Sequence, residues 1–189
     1  LIAGSHPDPY RLPLALRTTA KVIAAGTDAR LLIAGRVNDA QLVELTALSS
    51  ELGLNDRIRV SGPYRQSEAP DLFRQADILL HTKYIDPCPS VAIEAMACGL
   101  PVVYSKTGGT PELVGDEAGY GVPTELNWHE PRPPSPEQLA EGVAKVAGDL
   151  SRFSAAARER AVTRFDLKHW LKRHAHVIEE LVRSLREAR

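Results

Sequence analysis

Cysteine is almost absent: the 189 residues contain two, Cys88 and Cys98, and the second sits inside an apolar helical run. Two thiols so placed exclude a disulfide framework as the source of stability and point to a reducing compartment, so a cytoplasmic location is expected. There is no surplus of charge either. Lys and Arg number 23 against 24 Asp and Glu, which excludes a broad cationic field able to hold a nucleic-acid backbone or an anionic membrane surface. Any phosphate must therefore be met locally. No run of about eighteen apolar residues occurs, so no bilayer-spanning helix is expected, and no charged-then-apolar leader precedes the first apolar stretch. The chain opens at Leu1 without Met and runs directly into Leu1-Ile2-Ala3-Gly4, which reads as a cut at a domain boundary.

What is present is alternation. Short β-rich runs at Leu1 to Gly4, Arg30 to Ala34, Arg57 to Ser61, Ile78 to His81, Pro101 to Tyr104 and Gly119 to Val122 are separated by helical patterns. Leu12-Leu16-Thr19-Ala20-Val22-Ile23 and Leu42-Leu45-Leu48-Leu52 are two of these, and their lengths suit right-handed βαβ crossovers. The expectation is one α/β domain with a doubly wound, six-stranded parallel sheet. Its functional residues should lie just after strands, at the carboxyl edge, near the point where the winding reverses. From Trp128 to Pro136, the prolines at 131, 133, 134 and 136 forbid helix and sheet interior alike. Helices are then expected over Glu137 to Ala147, Arg152 to Arg164, and Leu167 to about Glu187. The last carries a stripe through Leu167, Trp170, Leu171, His174, Val177, Ile178, Leu181, Val182 and Leu185.

The densest chemical signal follows the fourth expected strand: Asp86-Pro-Cys-Pro-Ser-Val-Ala-Ile-Glu94-Ala-Met-Ala-Cys-Gly-Leu-Pro101-Val-Val. Pro87 and Pro89 stiffen a loop, Ser90 is a candidate N-cap, and Val91 to Cys98 form a short helix ended by Gly99 and Pro101. The amino end of that helix offers N–H groups and a positive dipole suited to phosphate. Glu94, one turn in, can accept hydrogen bonds from neutral hydroxyls. Phosphate and polyol together are what a nucleotide sugar presents.

These residues resemble the retaining glycosyltransferases of GT-B fold, the glycosyl transferases group 1 family. That family's signature is a Glu-x7-Glu pair, a segment like EAMACGLPVV, and then GGxPE. Here Asp86-x7-Glu94 leads into Glu94 to Val103, and Gly108-Gly109-Thr110-Pro111-Glu112 follows. Fainter likeness covers the strand ending at Gly35, the segment ending at Gly62, and Ala76-Asp77-Ile-Leu-Leu. The resemblance implies a Rossmann-like core over 1–127, a Pro-rich connection over 128–136, C-terminal helices over 137–189, and an N-terminal acceptor domain absent from this chain.

Carried over by position, the resemblance implies that Glu94 binds the ribose hydroxyls. Asp86, a methylene shorter than the family's Glu, would meet hydroxyls of the donor sugar, and Cys88, Pro89, Ser90 and the N–H of Val91 would cradle sugar and phosphate. In the family an Arg and a Lys after the first strand stabilise the departing diphosphate. Here Gly-Arg becomes Gly4-Ser5, and the basic residue that follows is Arg11, which either takes that role or is a solvated charge at a helix start. His6 is a site imidazole or a plain loop residue. Tyr64, after Gly62-Pro63, offers a face to the base or packs with its hydroxyl in water, and Arg36 is placed to close over the base. Lys83 meets the donor or is a surface lysine. Gly108 and Gly109 allow a close backbone approach, and Glu112 orients a short helix.

His6, His81, His129, His169, His174 and His176 show no paired ligand spacing, and Cys88 lacks a sequence-marked base. Neither a metal nor a cofactor is expected, and no catalytic base is assigned. The partners implied are a UDP-, GDP- or ADP-sugar and the missing N-terminal domain, with a membrane-associated acceptor, and hence a peripheral location, compatible with the whole protein. Two other readings stay open: a GT-B-type nucleotide-sugar epimerase, and a non-catalytic nucleotide-sugar-binding module. In the family the last helix reaches back toward the N-terminal domain, so the Trp170 to Leu185 face is either left exposed here and prone to self-association, or buried on the same domain.

Overall fold

The computed structural model describes residues 1–187. The final two residues of the expected C-terminal helical region, 188 and 189, lie outside them. Strands β1 (Leu31–Ala34) and β2 (Ile58–Gly62) pair in parallel, as do β3 (Leu79–His81), β4 (Val102–Ser105) and β5 (Gly119–Val122) in that order. Five of the six expected strands are thus present as strands. The sixth, Leu1 to Gly4, narrows to a single parallel bridge, Ile2 to Ile33. It still joins the two sheets: the Ile2 N–H donates to Leu32 O and the Ala34 N–H to Ile2 O at 2.9 Å, while the Leu80 N–H donates to Leu1 O at 2.8 Å. The spatial order is therefore β2, β1, Leu1–Ala3, β3, β4, β5. Numbered along the chain this is the 3-2-1-4-5-6 order of a doubly wound dinucleotide fold, and its reversal falls between Leu1–Ala3 and β3.

Period-two alternation sorts the strand residues between two cores. Leu1, Ala3, Leu32, Ala34, Leu79, Val102 and Tyr104 face one side, and Ile2, Leu31, Ile33, Leu80, Val103 and Val122 face the other. The first side is covered by α3 (Ala69–Phe73), α4 (Ser90–Ala97) and α5 (Thr110–Val114). The second is covered by α1 (Arg11–Ala24), α2 (Asp39–Glu51) and α6 (Pro136–Ala147). Helix α7 (Leu150–Phe165) reaches both, Phe153 with the second core and Ala157 and Ala161 with the first. A sheet covered on both faces needs strands apolar throughout, which is why β1 and β4 are buried at every position. The edge strands differ: β2 is largely exposed, and β5 is half-buried at its two middle positions.

Three local expectations change. Ser90 is not the N-cap: Pro89, in extended conformation, takes that position, Ser90 is the first helical residue, and no side chain caps α4. Its carboxyl end closes as expected, with the Gly99 N–H on Met96 O and the Leu100 N–H on Ala95 O. Second, the irregular connection spans 123–135. Pro136 belongs to α6, at the first helical position where its missing N–H costs no bond, behind a Ser135/Gln138 capping box. Third, α2 buries only Leu45 of its leucine stripe, and Leu42 is 46% exposed. This helix packs chiefly on α1 and the turn Asn55–Arg57 at the open end of the sheet, so it has little sheet to cover.

Helix α8 (Leu167–Glu187) has the expected stripe and buries none of it: Trp170 is 48% and Leu181 58% exposed.

Candidate functional site

In a sheet of this winding the crevice opens at the carboxyl ends of the two central strands, here between the loop 4–10 and the loop 82–89. Arg11 opens α1 and lies across that crevice, 3% exposed, which corrects the solvated-charge reading. Its Nη1 donates to Ser5 O and its Nε to Thr82 Oγ1 at 3.4 Å, so one guanidinium ties both loops. Two of its five N–H groups are thereby used and three remain. Burial pushes the Arg11 pKa down while Tyr10, Asp8 and Asp86 pull it back up, and a group that starts so high stays charged. The side chain of Ser5 faces solvent; what it contributes is its carbonyl.

The backbone is crowded on this edge. A Cβ at Gly35 would stand 1.9 Å from Gly4 O, and the Gly35 N–H donates to Gly62 O at 2.9 Å, so the ends of the Leu1–Ala3 segment, β1 and β2 are knitted through glycine. His6 fills the space beneath. It is 3% exposed, not a free loop residue, with Nε2 3.1 Å from Ala34 O and Nδ1 buried without a partner. Burial, then the charge of Arg11, lower its pKa from 6.5 to about 4. The sign follows: as pH falls below 6.5 the unfolded chain takes up a proton that the folded one refuses until about 4. Stability should therefore be full at neutral pH and drop through that window, by up to about 3 kcal/mol from this residue. Urea unfolding at pH 7.0 and pH 4.5 measures it. A His6→Gln chain should show a shallower dependence, keeping the part due to His81, whose pKa burial also lowers. An equally steep dependence in that variant would remove the assignment.

Asp86 stands on the far wall with its side chain 13% exposed. Its Oδ2 lies 3.4 Å from His81 Nε2 and 3.5 Å from Lys83 Nζ, and its Oδ1 accepts from the Cys88 N–H at 3.3 Å. His81 first, and then Lys83 and the Cys88 amide, hold its pKa below the usual carboxylate range against the opposing effect of burial. Lys83 is thus engaged with Asp86, though still half exposed. The loop is fixed from behind. The Gly109 N–H donates to Asp86 O at 2.8 Å, and a Cβ on Gly109 would fall 2.0 Å from Pro87 O. Gly108, at φ +66°, would set one 2.5 Å from Asp86 O. The close approach expected of these glycines is made to the Asp86–Pro87 backbone.

Cys88 and Ser90 are exposed, Pro89 is buried and Val91 half-buried at the uncapped amino end of α4. One turn further, Glu94 is half-buried, with its charge near enough to Tyr64 that, after burial, it helps raise the phenol pKa. Tyr64 packs edge-on against Phe73, ring centroids 6.1 Å apart at 71°, and is half-buried. Arg36 is exposed. Glu112 is exposed in the first turn of α5, and its carbonyl accepts from Arg160.

The structure therefore brings Arg11, Lys83 and Asp86 into one crevice, and Glu94 beside Tyr64 on the adjoining helix face. Sequence reasoning missed two buried residues here. His81 had been weighed only as a metal ligand. Tyr84 was not singled out: its N–H donates to Tyr10 Oη at 2.9 Å, and its hydroxyl donates to Glu125 O and accepts from the Asn127 N–H at 2.6 Å, anchoring the Pro-rich connection. The only signal for either was position, a polar residue at or just beyond the end of an apolar strand. Beside them, Lys83, Tyr84, Asp8 and Trp128 line an open cleft of about 170 Å³. Among the described residues no three His, Cys, Asp or Glu gather as metal ligands, and no helix is long and apolar enough to cross a membrane. Both cysteines are free.

Comparison with known proteins bears on this edge. The family model for glycosyl transferases group 1 matches residues 9–160. The D-inositol 3-phosphate glycosyltransferase of Mycolicibacterium smegmatis is 35% identical over 112 residues, 57% of this chain and 25% of that protein. Its counterpart in Mycobacterium tuberculosis is 34% identical over 166 residues, 85% of this chain and 31% of that protein. The chain thus spans about a quarter to a third of the length of these relatives. Among solved structures, Anabaena HepE in complex with UDP and glucose superposes with a TM-score of 0.75 at 22% identity, over 95% of this chain and 47% of that one. Sucrose-phosphate synthase from Thermosynechococcus elongatus gives 0.76 at 23%, over 97% and 45%. At these identities the likeness establishes the fold, the Rossmann-like α/β architecture found in GT-B glycosyltransferases.

Proposed function

The chain belongs to the glycosyl transferases group 1 family, and on that premise we propose that it holds a nucleotide-sugar donor, a UDP-hexose, for retaining transfer to an acceptor bound by a part of the protein outside these residues. The observation that carries the reading is Arg11: a buried guanidinium at the winding reversal, with three N–H groups unspent and an ionised Asp86 across the crevice. UDP is the nucleotide of choice because HepE was solved with UDP-glucose and the pneumococcal O-GlcNAc transferase GtfA with UDP and GlcNAc.

In this reading the diphosphate lies between Arg11 and the uncapped end of α4, with Gly4 and Ser5 beneath it and Cys88, Pro89, Ser90 and the Val91 N–H around it. As the bond from the anomeric carbon to the diphosphate oxygen breaks, negative charge grows on the leaving group, and a fixed guanidinium stabilises it without having to reorganise. Asp86 accepts hydrogen bonds from donor-sugar hydroxyls, and Lys83 offsets the charge of Asp86 against the phosphates. Glu94 accepts from the ribose hydroxyls. The uracil lies near Tyr64 and Gly62, with Arg36 free to close over it.

The decisive measurement is UDP affinity of Glu94→Ala by calorimetry. Losing a hydrogen bond to a charged acceptor should weaken binding by about 1.5–3 kcal/mol. Unchanged affinity in a folded variant would remove Glu94 from the site, and failure of the native chain to bind UDP would remove the donor reading.

A further inference from the structure

His81 is the last residue of β3, paired in register with Tyr104 and 3% exposed. Its two strand predecessors are apolar and equally buried. An imidazole in that position is held by the strand and has almost no freedom to turn away. Its Nε2 is buried with no well-formed hydrogen bond, Asp86 Oδ2 lying at the long distance of 3.4 Å. Buried polar atoms are rarely left so, and one stopped a few tenths of an ångström short of a carboxylate is poised to complete its bond on a small movement of the loop.

The other contacts of Asp86 are of a different kind. Lys83 reaches the same oxygen at 3.5 Å from a half-exposed, flexible chain, and the Cys88 amide belongs to the loop itself. The charged groups facing the imidazole are Asp86, Arg11 and Lys83. Two cations and burial favour the neutral ring, which leaves Asp86 its full negative charge when Nε2–H donates to it.

We propose that His81 is a positioning residue: from the rigid end of β3 it aims the Asp86 carboxylate at the sugar of the donor, a role this chain needs because its acid is Asp, with a short side chain. This rests on the donor-site reading above. His81 touches no part of the nucleotide in it, so the role concerns the sugar alone.

Calorimetric titration of the chain with UDP and with UDP-glucose separates the two ligands. The native chain should bind UDP-glucose about tenfold more tightly than UDP, the worth of a charge-assisted hydrogen bond. Asp86→Asn and His81→Leu should both abolish that preference, and in His81→Leu UDP affinity should stay within about twofold. His81→Gln, whose amide nitrogen takes the place of Nε2 and still donates, should keep most of it. His81→Asn, equally polar but with its amide too short to reach, should lose it and serves if the Leu variant does not fold. Retention of the preference in His81→Leu or His81→Asn overturns the proposal, as does equal loss of UDP and UDP-glucose affinity in every His81 variant. A native chain with no preference for UDP-glucose overturns the donor-site reading, and the role of His81 with it. Loss in Asp86→Asn alone overturns only the role of His81.

Discussion

Given UDP-glucose and a panel of acceptors, this chain is expected to bind the nucleotide sugar and to transfer nothing detectable. Glycosyl transfer joins two substrates, and holding both in reactive geometry contributes on the order of 7–11 kcal/mol, a factor of roughly 10⁵ to 10⁸ in rate. The crevice between residues 4–10 and 82–89 supplies one wall for one substrate. The chain spans about a quarter to a third of the length of its curated relatives, and the proposed donor groups, Arg11, Asp86 and Glu94, lie on a single edge of one sheet. Radiolabelled UDP-glucose with separation of products is the direct assay. Acceptor-dependent turnover at an ordinary enzymatic rate would mean that the 189 residues hold a complete active site.

The second large effect is expected from one methyl group. In Gly109→Ala the new carbon would be placed 2.0 Å from Pro87 O, a separation no pair of unbonded atoms sustains. The Asp86–Pro87 loop must then move, and the bond from the Gly109 N–H to Asp86 O is strained or lost. Overpacking of this kind costs about 1–3 kcal/mol, and Asp86 is carried off its contacts with His81 and Lys83. UDP-glucose affinity should fall by roughly tenfold or more with the lost hydrogen bonds. Gly26→Ala is the control. Gly109 sits at φ −91°, whereas Gly26 has positive φ, +94°, with open space around it, so the substitution there should cost about 1 kcal/mol of backbone strain and leave binding intact. Urea midpoints and calorimetry report the two quantities separately, and a Gly109→Ala chain that binds like the native one would show that the glycine pair does not set the loop.

That clamp illustrates what the sequence made legible and what it did not. The helix 90–97, its closure at Gly99, and the strands on either side are written in neighbouring residues, so local reasoning found them. The alternation of short β-rich runs with helical patterns announced a doubly wound sheet, and the unbroken apolar runs Leu31-Leu32-Ile33 and Leu79-Leu80 are what a sheet covered on both faces requires. The glycines at 108 and 109 announced a close approach, but not that the approaching backbone would be Asp86–Pro87, since that depends on how β3 and β4 lie side by side. The same holds for His81 and Arg11. A histidine ending an apolar strand reads alike whether it meets water or an acid, and an arginine opening a helix reads as solvated until loops from two other strands close over it. Ser90 was misplaced by one residue because Pro89 satisfies the extended geometry of the cap position without supplying a capping side chain. The leucines of α2 marked a helix but not its partner, because periodicity marks a face without saying whether anything lies opposite.

The seam of the sheet has a kinetic meaning. Strands β1 and β2, and β3, β4 and β5, can each assemble through crossovers within their own stretch of chain. Among the described residues the strands of the two halves are hydrogen-bonded only through Leu1–Ala3, whose partners lie near residue 33 on one side and residue 80 on the other. Closing the loop to residue 80 is a long search, and its entropy must be spent before any contact rewards it. The crevice that gathers Arg11 and Asp86 exists only once that seam has closed, because its two walls belong to opposite halves. The crevice is therefore expected to form late in folding, and hydrogen exchange at Ile2, Ala34 and Leu80 would register the opening of the seam directly.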